Sequence, residues 1–305
     1  MMNTENKKTV NVMDEAHGRD WSVYNADCVD FASQLPDESI DFTIYSPPFA
    51  NLYIYGDSVA DMGNCSGDSE FFGQYEFLVK EKFRVTTPGR LTAVHCTDLP
   101  MSKGMHGFVG RRDFSGDIIR AHQDAGWIFH CRVTIWKDPV VEMQRTKAVG
   151  LLHKTLKKDS CKSRMGNPDY LLIFYKPGDN PNPVSHSADE FPVDQWQQWA
   201  SPVWMDINQT NVLNKRGAKA ENDEKHICPL QLDVIFRALV MWSNKGDRVW
   251  SPFMGIGSEG FQSVKLCRKF IGTELKPSYF HQAVGNLKRA ESEVGDLFDS
   301  ERGAA

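Results

Sequence analysis

Short apolar runs alternate with stretches of helical spacing along most of this chain. Trp21-Ser22-Val23-Tyr24-Asn25 alternates as a strand does and ends at Asp27, and a short helix is predicted around Val29 to Leu35. Ile40-Asp41-Phe42-Thr43-Ile44-Tyr45 is rich in β-branched and aromatic residues and predicts a buried strand. The prolines at 47 and 48 stop it, because neither donates a ladder hydrogen bond and each restricts the residue before it. Helical spacing covers Phe71 to Val85, Asp113 to Ala125, Pro229 to Ser243, Gly260 to Cys267 and Pro277 to Ala290. Further strands are predicted at Leu91 to Cys96, after a turn at Pro88-Gly89-Arg90, and at Trp127 to Trp136, Tyr170 to Tyr175, Asp247 to Trp250 and Phe270 to Glu274. Alternation of this kind predicts one α/β domain with a mostly parallel sheet. Residues 1–20 read as a flexible arm, 177–225 as a loop-rich segment of Pro, Asn, Gln and Trp, and 291–305 as a polar tail.

Composition narrows the class. With 305 residues, 41% hydrophobic and 25% charged, the chain is large enough for one sizeable core. It has no apolar run of membrane-spanning length and no signal-peptide core near Met1, so a cytoplasmic protein with no membrane partner is expected. The seven cysteines form no Cys-x-x-Cys pair, which leaves metal binding without support. A net charge of -5 argues against an indiscriminate polyanion binder, but Lys137 to Lys176 is locally basic.

Two separated motifs carry candidate chemistry. Gly255-Ile256-Gly257-Ser258-Glu259-Gly260 satisfies G-x-G-x-x-G, and Glu274 stands at the end of the next predicted strand. The pattern suits a nucleotide-like ligand: a glycine turn opens a helix, and a carboxylate can take ribose hydroxyls. It also suits a turn that merely lets a helix pack closely on a strand. A nicotinamide domain needs several more βα units after such a turn, and only about 45 residues remain here. The other motif is Ser46-Pro47-Pro48-Phe49, a stiff corner at a strand's carboxyl end, where α/β sheets place ligands.

Together these motifs resemble the beta class of DNA amino-methyltransferases. Ser46-Pro47-Pro48-Phe49 resembles the catalytic tetrapeptide of that family, and Ser251-Pro252-Phe253-Met254-Gly255-Ile256-Gly257 followed by Ile271-Gly272-Thr273-Glu274 resembles its S-adenosylmethionine loop, with Ser251 where the family usually has Asp. Glu224-Lys225-His226-Ile227-Cys228-Pro229-Leu230-Gln231 is partly similar to the family segment that opens the preceding helix. The resemblance implies a Rossmann-like class I methyltransferase fold: a seven-stranded, mostly parallel sheet, the last strand antiparallel, with helices on both faces. It implies S-adenosyl-L-methionine as cofactor, held by Asp27, His226, Gln231, Ser251, Pro252, Phe253, Gly255, Gly257, Ser258 and Glu274. It implies double-stranded DNA as partner, with the target base flipped out of the helix, and allows a homodimer. The setting implied is a restriction-modification system in a prokaryotic or phage-infected cell, near the nucleoid.

The chemistry fits the residues. The Pro47 carbonyl and the Ser46 side chain can accept hydrogen bonds from a base amino group, and Phe49 can stack on the base for roughly 1–3 kcal/mol. Family members with Ser first in the motif mostly act on N4 of cytosine and those with Asp on N6 of adenine, so Ser46 points to cytosine first and adenine second. Phe49 stands where such members usually carry Tyr. Methylation of cytosine carbon 5 needs a Pro-Cys nucleophile, and Cys228-Pro229 runs the other way. A DNA-binding protein that keeps this fold with weak or no catalysis is the alternative of another class, supported by Ser251 and by the partial match of the segment Glu224 to Gln231. DNA contacts are expected from inserts at about 101–116 and 138–168, through Arg111, Arg112, Arg145, Lys147, Lys154, Lys157, Lys158, Lys162 and Arg164. Trp196, Trp199 and Trp204 read as packing residues.

Overall fold

A computed structural model describes residues 11–48, 68–101, 103–146, 150–213 and 229–303. The first half runs β1 (Asp14–His17), β2 (Trp21–Asn25), α1 (Cys28–Ala32), β3 (Ile40–Tyr45), α2 (Asp68–Val85), β4 (Thr86–Thr97), β5 (Leu99–Met101), α3 (Lys103–His106), β6 (Gly110–Arg112), α4 (Phe114–Asp124) and β7 (Ile128–Ile135). The second half runs α5 (Pro139–Thr146), α6 (His153–Lys158), β8 (Asp169–Tyr175), α7 (Val193–Trp199), β9 (Val203–Trp204), α8 (Leu232–Trp242), β10 (Arg248–Ser251), α9 (Ser258–Lys265), β11 (Lys269–Thr273) and α10 (Pro277–Gly303).

Among the described residues nine strands make one sheet in the order β1-β2-β11-β10-β3-β4-β8-β7-β9. From β2 to β4 all neighbours are parallel, and β8 runs antiparallel between β4 and β7. The expected seven strands are therefore present, with the antiparallel member lying inside the sheet. Two short edge strands are added. Residues 14–17 leave the predicted arm to pair antiparallel with β2, and β9 pairs with the end of β7.

Strand side chains alternate between two cores. Phe42, Ile44, Ala93, Leu171, Ile173 and Val249 face α8, α9 and α10, which supply Val234, Ile235, Phe261, Phe280 and Leu287. Tyr45, Val94, Cys96, Leu172, Phe174 and Trp250 face α1, α2 and α4, which supply Ala32, Phe71, Tyr75, Leu78 and Ile118. Neighbours in one strand thus enter opposite cores, and burial on both faces is why the sequence shows continuous apolar runs. Among the described residues no helix is long and apolar enough to cross a membrane.

Three further elements differ from the pattern-based reading. Pro88-Gly89 does not interrupt β4; it is carried within the strand by Gly89 at φ 72°, with a register shift against β3. The segment read as loops contains α7 and β9. The polar tail continues α10 to Gly303, and Glu291 ties it to the body by accepting from Arg19 N (2.7 Å) and Trp21 Nε1 (3.3 Å).

The topology fixes where chemistry can occur. After β3 the chain crosses through α2 to β4 on one side, and after β10 it crosses through α9 to β11 on the other. β3 and β10 are neighbours, with Val249 beside Phe42 and Trp250 beside Thr43. The sheet therefore reverses its winding between them, and the crevice at their carboxyl ends is where open α/β sheets bind ligands.

Candidate active site

Both sequence motifs emerge at that crevice. Ser46-Pro47-Pro48 leaves the carboxyl end of β3, and Pro252-Phe253 leaves the carboxyl end of β10. They touch: the Tyr45 and Phe253 ring centroids are 5.7 Å apart. Tyr45 is fixed from beneath, its hydroxyl bonded to Tyr75 Oη (2.6 Å) and accepting from Lys82 Nζ (2.8 Å). Lys82 also donates to His122 Nε2 (2.6 Å), while His122 Nδ1 donates to the Ile118 carbonyl (2.8 Å). Burial holds the Lys82 amine well below its ordinary pKa, and burial followed by the Lys82 charge does the same for His122. The stiff corner thus stands on a buried polar network.

Glycine geometry shapes the second motif. Gly255 at φ 53° and Gly257 at φ 83° occupy left-handed backbone that other residues rarely adopt. A Cβ on Gly257 would lie 3.1 Å from Ala283 Cβ, so this glycine also lets α10 approach; a Cβ on Gly255 would meet nothing within 4 Å. The loop is pinned by Met254 N to Thr273 O (3.0 Å), Thr273 Oγ1 to Pro252 O (2.9 Å) and Asn286 Nδ2 to Ile256 O (2.8 Å). Glu274 Oε2 accepts from Gly255 N (2.9 Å) and Oε1 from Lys276 N (2.9 Å), placing that carboxylate against the glycine turn.

Two hydroxyls there are buried without a hydrogen-bond partner among the described residues: Ser251 Oγ and Ser258 Oγ, on residues 0% and 3% exposed. Buried hydroxyls are rarely left unpaired. Together with the open space over Gly255, they fit a polar ligand seated across the turn. Glu259 follows at 4% exposure. Burial pushes its carboxyl up to about 8, against the pull of its own backbone N–H and with a further push from Glu274. A raised folded pKa gives stability that is complete below the ordinary 4.5 and lost as pH climbs through about 8. Glu259→Gln, which stays neutral, is expected to flatten that decline, giving a higher urea midpoint than wild type above pH 8 and a similar one in acid.

The remaining predicted ligand residues sit on the same rim. Asp27 caps α1, its Oδ1 accepting from Val29 N and Asp30 N (both 2.9 Å), so the turn aspartate has a structural duty. Asn25 Nδ2, bonded to the carbonyls of Glu274 (2.7 Å) and Leu275 (2.9 Å), ties that end of β2 to β11. Gln231 starts α8, nearly buried, with Nε2 3.3 Å from Gln209 Oε1 and its own Oε1 unpaired among the described residues. Phe49, Lys147 and His226 lie outside the described residues.

One functional candidate escaped the sequence reading. Ser46 Oγ is 2.8 Å from Nδ1 of His95, a β4 residue 7% exposed. On the far side of that ring, Nε2 is 3.4 Å from Asp169 Oδ2, and the other oxygen of Asp169 is paired with Lys137. Burial alone would raise the Asp169 carboxyl; hydrogen bonding and charge from His95 and Lys137 overcome it and hold the group below its ordinary range. His95 reads as an ordinary strand residue in Thr92-Ala93-Val94-His95-Cys96. Only the order β3-β4-β8-β7 brings the four residues into line.

The two basic inserts meet beside this line. Arg111 Nη2 donates to the Met165 carbonyl (2.5 Å), and Asn167 Nδ2 donates to Asp98 O (2.6 Å) and Thr97 Oγ1 (3.1 Å). Lys154, Lys157 and Lys158 are exposed on α6, whereas Lys162 pairs with Asp159 at 3.1 Å. Arg164 is partly buried near Arg111, and Arg145 lies in α5. Arg112 pairs with Asp117 (3.0 Å) and lies 5.7 Å from the ring centroids of Phe72 and Phe114. Trp199 and Trp204 also pack, around Arg237, while Trp196 is 52% exposed.

Residues 40–285 match the DNA methylase family of N6 and N4 methyltransferases. The chain is 24% identical over 266 residues to Type II methyltransferase M.BamHI of Bacillus amyloliquefaciens, covering 83% of itself and 54% of that protein. It is 23% identical over 281 residues to Type II methyltransferase M1.MboII of Moraxella bovis, covering 88% of itself and 97% of that protein. It thus spans about half of the first relative's length and nearly all of the second's. Among solved structures, PvuII DNA methyltransferase (cytosine-N4-specific) superposes with a TM-score of 0.64 at 16% identity, covering 95% of each chain. A Thermus thermophilus protein solved with S-adenosyl-L-methionine gives 0.64 at 18% identity, covering 87% of this chain and 93% of that one. At these identities the likeness establishes the fold.

Proposed function

The chain belongs to the N6/N4 DNA methylase family, and on that footing we propose that it methylates the exocyclic N4 of a cytosine flipped out of double-stranded DNA. The methyl donor is S-adenosylmethionine, whose sulfonium makes the methyl carbon electrophilic. The observation that carries the reading is the meeting of the Ser46 corner and the Gly255–Gly257 turn at adjacent strand ends. Ser251, Ser258 and Glu274 hold the donor, using hydroxyls and a carboxylate that line the turn. Ser251 keeps a hydrogen-bonding group without the family's usual charge there. Ser46 and the Pro47 carbonyl accept from the amino group, which aims its nitrogen lone pair away from the corner and toward the donor side. Alignment of this kind does most of the work, because no strong base is needed before attack.

Cytosine rests on Ser46; N6 of adenine is the second reading within the same chemistry. A DNA-binding protein without catalysis is supported by Ser251 and by the partial match of the segment Glu224 to Gln231. Incubation with DNA and labelled S-adenosylmethionine, followed by nucleoside mass spectrometry, tests all three. N4-methylcytosine is expected; N6-methyladenine moves the target base, and no labelled nucleoside with DNA still bound favours the third reading.

DNA is gripped, on this reading, by the joined inserts beside the corner. The Lys154, Lys157 and Lys158 triple alanine variant is expected to reduce the slope of log affinity against log salt by about 2–3, since each phosphate contact contributes about 0.9. An unchanged slope removes α6 from the interface.

A further inference from the structure

We infer that His95, backed by Asp169 and Lys137, is the positioning residue that receives, through Ser46, the proton released from the target amino group. This rests on the methyl-transfer reading above and adds the proton's destination to it. A serine hydroxyl is too weak a base to take a proton and keep it. Proteins that use serine in proton transfer place a base behind it, and that base is oriented by a third group. Here the hydroxyl has an imidazole nitrogen at 2.8 Å, in a place where bulk water has little access: His95 is 7% exposed and Asp169 4%.

The flanking groups set the proton positions. Nε2 has no hydrogen-bond partner among the described residues, but the Asp169 anion 3.4 Å away favours by its charge the tautomer protonated on Nε2. Nδ1 is then the acceptor, the Ser46 hydroxyl donates to it, and the oxygen lone pairs are left for the base amino group. Catalytic hydrogen bonds are often long before substrate is bound. Among the described residues the charged group facing His95 is Asp169 at the start of β8, and Lys137 just after β7 pairs with the other oxygen of Asp169.

The step balances. The amino nitrogen's lone pair forms the bond to the methyl carbon, and the carbon–sulfur bond breaks with its electron pair going to sulfur. The nitrogen loses one N–H proton to Ser46 Oγ, keeping that bond's electrons, as the hydroxyl's own proton passes to Nδ1. One positive charge enters the cleft on the donor and one remains on the imidazolium, beside a carboxylate held ionised for it. The imidazolium then loses its proton to water.

The test compares wild type with His95→Gln and Asp169→Asn, using single-turnover methyl transfer to DNA across pH, together with histidine side-chain NMR of the cofactor-free protein. Glutamine can still bond Ser46 but cannot take the proton. We expect a single-turnover rate about 100-fold lower in His95→Gln with DNA and cofactor affinities little changed. The acid limb of the wild-type profile should vanish in His95→Gln and move to lower pH in Asp169→Asn, because the imidazolium loses its counter-charge. NMR should find the Nε2-protonated tautomer in wild type. A wild-type rate in His95→Gln, equal losses of rate and affinity, or an Nδ1-protonated ring overturns the inference while leaving methyl transfer intact. If His95→Gln fails to fold, the Asp169→Asn profile and the wild-type tautomer decide. A wild-type protein that moves no methyl group to DNA overturns both readings.

Discussion

Ser46→Ala is expected to lower methyl-transfer turnover by about 100-fold or more while leaving S-adenosylmethionine affinity nearly unchanged. The asymmetry follows from placement. Ser46 lies at the end of β3 with its hydroxyl on His95, whereas the turn that would hold the donor is built from β10, α9 and β11. Removing the hydroxyl takes away one acceptor for the base amino group and cuts the path to the imidazole. It leaves the Glu274 carboxylate on Gly255 N and the hydroxyls of Ser251 and Ser258 where they were. Calorimetric titration with the cofactor and quenched single-turnover assays measure the two quantities separately. Equal losses in both would mean that the serine acts through the donor site, and the assignment of the β3 corner to the base would fall.

Much of the sheet was legible because its central strands are buried on both faces. Tyr170 to Tyr175 is apolar at successive positions, and in Ile40 to Tyr45 every residue but Asp41 is buried, which no exposed segment sustains. The motifs were legible because proline and glycine leave little choice of backbone: the positive φ at Gly255 and Gly257 is what the sequence pattern advertised. Edge elements were not legible. Asp14-Glu15-Ala16-His17 pairs on one side only and keeps a polar sequence, and the helix Val193–Trp199 is rich in Gln and Asp. The His95, Asp169 and Lys137 line was hidden for a different reason. Its members stand on β4, on β8 and just after β7, and nothing in the sequence ties them to one another; the meeting depends on β8 inserting antiparallel between its neighbours. The surroundings of Arg112 were hidden in the same way: its pairing with Asp117, five positions on, and its closeness to the faces of Phe72 and Phe114 come from the fold.

The largest loss of stability is expected at the opposite rim, from Arg90→Leu. Arg90 lies in β4 and pairs with Asp247 just before β10, with side chains 1% and 3% exposed. Its Nε donates to the Asp41 carbonyl (2.9 Å) and Nη1 to the Asn182 carbonyl (2.8 Å). Asp247 in turn accepts from Asn244 N (2.7 Å) and Asn182 Nδ2 (3.3 Å). The cluster joins the starting ends of β3, β4 and β10 to the segment at 182. Leucine leaves the Asp247 carboxylate buried without its counter-ion, and breaking such a pair costs about 3–5 kcal/mol. Replacing both partners, as in Arg90→Leu with Asp247→Leu, removes the stranded charge, so the double variant should be destabilised by less than the sum of the single variants. His95 lies five positions beyond Arg90 in β4, about 17 Å of extended chain, so the corner and the glycine turn should keep their geometry. Calorimetric unfolding of the two single variants and the double variant, with single-turnover rates taken well below each midpoint, checks this. A midpoint unchanged in Arg90→Leu would show that the pair is not holding the strand ends together, and a lost rate in the folded variant would show that this rim is coupled to the crevice.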